Sequence, residues 1–111
     1  MADAGLDAPR LGVGDVVASL RGRDRGTLAL VWGILGRERV AIVDGDVHPL
    51  ARPKPKNRRH LRLVGHAAEL AHRIAQGEPL SDGDVQRALG PFREMTGEAA
   101  GKGESGDGQG G

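Results

Sequence analysis

The sequence predicts a mainly β domain, a small closed barrel with one or two short helices after it, and three observations carry that prediction. Five short strand-like segments fit between Gly12 and Val64. Gly, Asp-Gly or Pro signals separate them, rather than helical spacing. A helical period starts only after Gly65. Short strands in this number favour closure, because an open sheet leaves edge N–H and C=O groups available to other chains.

The first segment, Asp15-Val16-Val17-Ala18-Ser19-Leu20, is rich in β-branched residues, and Thr27-Leu28-Ala29-Leu30-Val31-Trp32 is an apolar run too short for an ordinary helix. Between them lies Arg21-Gly22-Arg23-Asp24-Arg25-Gly26, three guanidinium groups and two glycines at a strand-to-strand bend. Gly22 and Gly26 can take a positive φ and let the backbone approach a ligand closely. The guanidinium fork of Arg21, Arg23 and Arg25 matches phosphate oxygens. Asp24, between two arginines, is expected to order the loop rather than touch a ligand. After Gly36-Arg37-Glu38 comes Arg39-Val40-Ala41-Ile42-Val43, and Asp44-Gly45 then signals a two-residue hairpin before Val47. That hairpin accounts for Asp44 and Asp46 as turn residues in preference to a carboxylate pair for catalysis or metal binding.

Arg52-Pro53-Lys54-Pro55-Lys56-Asn57-Arg58-Arg59-His60-Leu61-Arg62 has a different character. Pro53 and Pro55 lack backbone donors and favour extended chain, so this segment is expected to leave the sheet and hold its cations apart along a line. Such a line suits a phosphodiester track. Leu61, Leu63 and Val64 return the chain to the barrel. Ala67, Leu70, Ala71 and Ile74 then fall at helical spacing, ended by Gly77 and Pro79. A second short helix is expected after Ser81, with Asp84 completing its cap and Val85, Ala88 and Leu89 on one face, before Gly90-Pro91 stops it. The expected layout is a disordered N-terminus over 1–9, the barrel over 10–64, a helical extension over 65–95 and a disordered Gly-rich tail over 96–111.

The chain has 111 residues and a formal net charge of +1, but the charge is divided along it. Residues 10–65 hold twelve Arg or Lys against five Asp or Glu, a net +7, while residues 66–111 hold four against eight, a net −4. The first half therefore points to an anionic partner. With no cysteine, disulfides, thiolate metal sites and thiol catalysis are excluded together. Met1 to Pro9 lacks the apolar run of an ordinary secretory signal, and no apolar stretch reaches the roughly 20 residues of a membrane span. A cytoplasmic location is expected.

Enzyme motifs fail on inspection. Gly12-Val13-Gly14 begins like a dinucleotide fingerprint, but Val17 stands at its third glycine and a strand follows. Gly22 to Gly26 is not a phosphate-binding P-loop, since Thr27 follows where Lys-Ser/Thr is required. His48, His60, His66 and His72 lack the spacing and companion carboxylates of a zinc hydrolase. Ser19, Ser81 and Ser105 have no evident base. No catalytic residue, metal, cofactor or small-molecule substrate is expected. Trp32 and Phe92 are the only aromatic residues of Phe, Tyr and Trp type, and Trp32 reads as core. Without a base-stacking platform, recognition should rest on phosphates and nucleic-acid shape.

Val13-Gly14-Asp15-Val16-Val17, the loop Gly22-Arg23-Asp24-Arg25-Gly26, the apolar strand after it and Arg39 to Gly45 together resemble a KOW motif. Ser19-Leu20 before that loop, the Val43-Asp44-Gly45 turn, and Arg52 to Asn57 ahead of His60-Leu61 strengthen the likeness. The chain is similar to small bacterial KOW-domain RNA-binding proteins related to the eukaryotic-type fourteenth large-subunit ribosomal protein family. The resemblance spans about residues 12–63, and Leu80 to Leu89 more weakly; Arg25 stands where a lysine is common, which keeps the charge. It implies an SH3-like (KOW) barrel in a non-enzymatic RNA-binding protein, ribosomal or ribosome-associated, with ribosomal RNA as partner and ribosomal proteins as neighbours. The expected RNA-binding residues are Arg21, Gly22, Arg23, Arg25, Gly26, Arg52, Lys54, Lys56, Arg58, Arg59, His60 and Arg62. The alternative is a protein-interaction adaptor that uses the barrel or the Ala67 to Ile74 helix.

Overall fold

The computed structural model describes residues 10–23 and 25–97. Five strands, β1 (Asp15–Ser19), β2 (Leu28–Ile34), β3 (Arg39–Val43), β4 (Lys54–Asn57) and β5 (Leu61–His66), precede two helices, α1 (Ala68–Ala75) and α2 (Asp82–Thr96). A 3-10 turn, Arg58–His60, joins β4 to β5. The strands form one antiparallel sheet in the order β4-β3-β2-β1-β5. The mainly β class with helices at its C-terminal side is borne out.

The apolar runs are continuous because both faces of the sheet are buried, and alternation sends neighbouring side chains to different cores. Val16, Ala18, Leu28, Leu30 and Val43 pack with Ala67, which caps α1, with Leu70 from α1, and with Val85 and Leu89 from α2. Val17, Ala29, Val31, Val40, Ile42 and Leu61 form the other core with Leu11, and among the described residues no helix contributes to it. The sheet covers that inner core by rolling up. Lys56 Nζ on β4 donates to Ser19 Oγ on β1 at 3.3 Å, although in a flat sheet those strands would lie about 14 Å apart.

The roll stops short of the closed barrel that strand count suggested, since β4 and β5 are the two ends of the sheet and do not pair with each other. Physical reasons lie in β4 itself, which is four residues long, carries Pro55 without a donor and presents Lys54 and Lys56. Proline and lysine are how proteins protect an edge that is left open. The same strand corrects a second expectation: Lys54 to Asn57 does not leave the sheet but pairs with β3, Pro55 opposite Ala41. An edge position is where a strand tolerates proline.

Asp44-Gly45 is a turn but not a two-residue hairpin, and Val47 lies outside any strand. The Asp44 carboxylate accepts from the backbone N–H of Asp46 and His48, both at 2.8 Å, which bends the chain into a longer connection. That connection is clamped to the start of α2: Leu50 N–H donates to Asp82 Oδ1, and Gln86 Nε2 donates to the Gly45 carbonyl. Gly45 has φ +79°, and a Cβ there would collide with the Asp82 carbonyl oxygen. The glycine therefore serves both the turn and the helix contact.

α1 follows its expected apolar stripe, with Leu70 buried and Ile74 packed at the margin of the helix-side core. Ser81 and Asp84 form the expected reciprocal cap of α2. The helix does not stop at Gly90-Pro91, however, but continues to Thr96. Pro91 lacks the donor that would reach the carbonyl of Arg87, a local cost that packing overrides. One part of that packing is Phe92, which joins the helix-side core and lies where a side chain at Gly65 would otherwise sit.

Candidate nucleic-acid interface

The β1–β2 connection leaves the sheet at Ser19 and returns at Leu28, and two glycines bend it. Gly22 (φ +79°) and Gly26 (φ +89°) both adopt the left-handed conformation expected of them, and a Cβ on either would meet nothing within 4 Å. Their conformation, not internal crowding, requires glycine. Arg25 N–H donates to the Gly22 carbonyl at 3.1 Å and Gly26 N–H to the Ser19 carbonyl at 2.8 Å, closing the bend. Arg21, Arg23 and Arg25 are all exposed on it. Asp24 lies outside the described residues, as do the expected tail over 1–9 and positions 98–111 of the tail expected over 96–111, whose first residue, Thr96, instead ends α2.

Sheet pairing carries the second basic segment to this loop. Ala18 is opposite Arg62 and Ser19 opposite Leu61, and Leu20 N–H donates to the His60 carbonyl at 2.8 Å. Ser19 is buried, and its hydroxyl donates to the Arg21 carbonyl at 3.1 Å while accepting from Lys56. One serine thus ties the loop to β4. Arg25 and Arg62 line a single cleft of about 300 Å³ with Ser19, Leu20, Gly26 and Thr96. Two guanidinium groups from separate elements can there meet one anionic group from two sides.

The remaining expected residues are distributed less tightly. Arg59 is exposed on the 3-10 turn, where its backbone N–H donates to Asn57 Oδ1. His60 is half-buried and joins the site through its carbonyl. Arg58 braces the β2–β3 connection instead, its Nη2 donating to the Gly36 carbonyl at 3.2 Å and its backbone N–H to the Glu38 carbonyl, while its Nε is buried. Arg52 and Lys54 are exposed farther back along the chain, Lys54 beside Ile42. Neither lines the Arg25–Arg62 cleft. Ser19 and Thr96 were not expected at the site. A serine two residues before Arg21 was a usable signal for the first, whereas a helix expected to end at Pro91 hid the second.

Among the described residues, the ion pairs lie on the helical side: Arg73 with Glu78 at 3.2 Å and Asp84 at 3.6 Å, and Arg87 with Asp84, beside a 2.7 Å hydrogen bond between His66 Nδ1 and Asp15 Oδ1. The Ser81 backbone N–H on its carboxylate, helped by the Ser81 hydroxyl and then by Arg73 and Arg87, holds Asp84 below the usual carboxylate range. Among the described residues, none of these carboxylates pairs with Arg21, Arg23, Arg25, Arg59 or Arg62. Also among the described residues, no group of three or more His, Asp or Glu is placed to hold a metal ion, and no helix is long and apolar enough to cross a membrane.

Trp32 and Phe92 are both half-buried against the helix-side core, and neither lines the cationic cleft. The arrangement can neutralise and position phosphates, but it offers no indole or phenyl ring for a base to stack on. Compared with known proteins, the chain matches no family model and no curated sequence.

Proposed function

We propose that the protein binds RNA without catalysing a reaction, seating backbone phosphates on the surface made by the β1–β2 loop, Lys56, the 3-10 turn and Arg62. The observation that carries this reading is convergence: segments over 30 residues apart in sequence meet through the Lys56–Ser19 and Leu20–His60 bonds and share a cleft at Arg25 and Arg62. The KOW resemblance of residues 12–63 adds RNA, and ribosomal RNA first, as the source of those phosphates. Gly22 and Gly26 supply a bend open enough for the polyanion to approach. The adaptor alternative has one feature in its favour, a groove between the helices floored by Ala67, Leu70, Ala88 and Phe92.

In-cell RNA crosslinking with sedimentation tests the proposal. RNA adducts on the loop and β5, and recovery with RNA-containing fractions, are expected; recovery with proteins alone would establish the adaptor instead. Phosphate contacts by Arg21, Arg23, Arg25, Lys56 and Arg62 predict a slope of log affinity against log salt of about −4 to −5 on duplex RNA. An affinity nearly independent of salt would rule the phosphate mechanism out.

A further inference from the structure

The end of α2 lies at the cationic cleft. Thr96, its last residue, lines the cleft with Arg25, Gly26 and Arg62, and Gly97 then turns the chain in the left-handed conformation, its N–H on the Arg93 carbonyl. A helix C-terminus carries a partial negative charge from its unpaired carbonyls. The sequence beyond continues that polarity. Residues 98–111 contain Glu98, Glu104 and Asp107 against Lys102, a net −2, with six glycines. Glu98 is only two residues past Thr96, a reach of about 7 Å at most.

We propose that the acidic segment 98–111 occupies the Arg25–Arg62 cleft and competes there with RNA. The inference rests on the RNA-binding reading for its competitor, but the contact itself needs only the cleft, the chain's exit point and opposite charge. Tethering makes a weak ligand effective, because the segment acts at an effective concentration of about a millimolar whatever the protein concentration. A competitor of millimolar affinity then lowers apparent RNA affinity a few-fold and disfavours weak, non-specific RNA more visibly than a tightly held target. As salt screens both attractions, the competition should fade.

The test compares the full chain with a full-length E98Q/E104Q/D107Q variant, whose substitutions all lie beyond α2 and leave Arg25 and Arg62 untouched. Binding is measured on an RNA duplex of about 16 base pairs, and the backbone amide resonances of Gly26 and Arg62 are recorded without RNA. The variant should bind about two- to fivefold more tightly at about 50 mM salt, the gap should close at about 500 mM, and both amides should shift between the two proteins. Equal affinities overturn the proposal even where RNA binding is strong. If neither protein binds RNA but the amides shift, the RNA reading fails while the segment's contact with the cleft stands. Unshifted amides overturn that contact.

Discussion

The helical side and the cationic side of the sheet use charge in opposite ways. On the helical side Arg73 lies between Glu78 and Asp84, Arg87 meets Asp84, and His66 meets Asp15. These pairs sit above a core that includes Val85 and Leu89, both fully buried; His66–Asp15 joins β5 to β1, and Arg73–Asp84 joins α1 to the start of α2. Exposed pairs of this kind contribute little net stability, so their value is geometric. On the cationic side Arg25 from the loop and Arg62 from β5 line one cleft, and among the described residues none of these carboxylates pairs with either. Under the proposed function, RNA phosphates supply the counter-charge on that face.

The greatest loss should come from damage to the helical side alone. Leu89→Ala removes a fully buried side chain from the helix-side core and should cost about 2–5 kcal/mol in urea unfolding. RNA affinity per folded molecule should be unchanged. A cost below about 1 kcal/mol would mean that α2 contributes little to the core.

Charge reversal of the cleft should do the converse. The double variant R25E/R62E is expected to lose about 10- to 100-fold in RNA affinity near 100 mM salt, while its unfolding free energy stays within about 0.5 kcal/mol of the parent, as for ordinary surface substitutions. Equal losses in stability and binding would erase the distinction between the two sides. Fluorescence binding and urea titrations on the same samples decide it.

A smaller change probes the helical side's electrostatics. Ser81→Ala removes one half of the reciprocal cap and should cost about 1 kcal/mol, with RNA affinity unaltered. Because the carboxyl of Asp84 is held below its ordinary value in the fold, its contribution is complete above the unfolded-state value near about 4 and is lost as pH falls through the lower folded value. Unfolding measured at about pH 6 and at about pH 3 should show a shallower acid loss in Asp84→Asn than in the parent. An unchanged acid limb would show that the cap carbonyl and hydroxyl, not the charge, hold the helix start.

Much of the fold was legible locally. Val16-Val17, Leu28 to Trp32 and Val40 to Val43 announced strands, and Ser81 with Asp84 announced a helix start, because each depends on neighbours in the chain. Pro55 and Pro91 misled for one shared reason: proline's local penalty is readable, but the packing that outweighs it is not. Pro55 is accepted at a sheet edge opposite Ala41, and α2 passes Pro91 because Phe92 beyond it fills the space over Gly65. The Asp44-Gly45 signal was correct as a turn and too short as a connection, since Asp44 takes backbone donors as far as His48.

The candidate site divides along the same line. A basic first half, an arginine loop bent at Gly22 and Gly26, and the absence of cysteine chemistry could all be read from the residues in order, because composition and φ preferences are properties of the residues themselves. That Lys56 reaches Ser19, that Arg58 turns to Gly36 instead, and that Thr96 closes a cleft with Arg25 and Arg62 emerged only from the folded chain. Those outcomes follow from how far the sheet rolls to cover its inner core and how far α2 runs across its other face. Curvature and helix length at that scale are set by burial of residues distant in sequence, which no local pattern records.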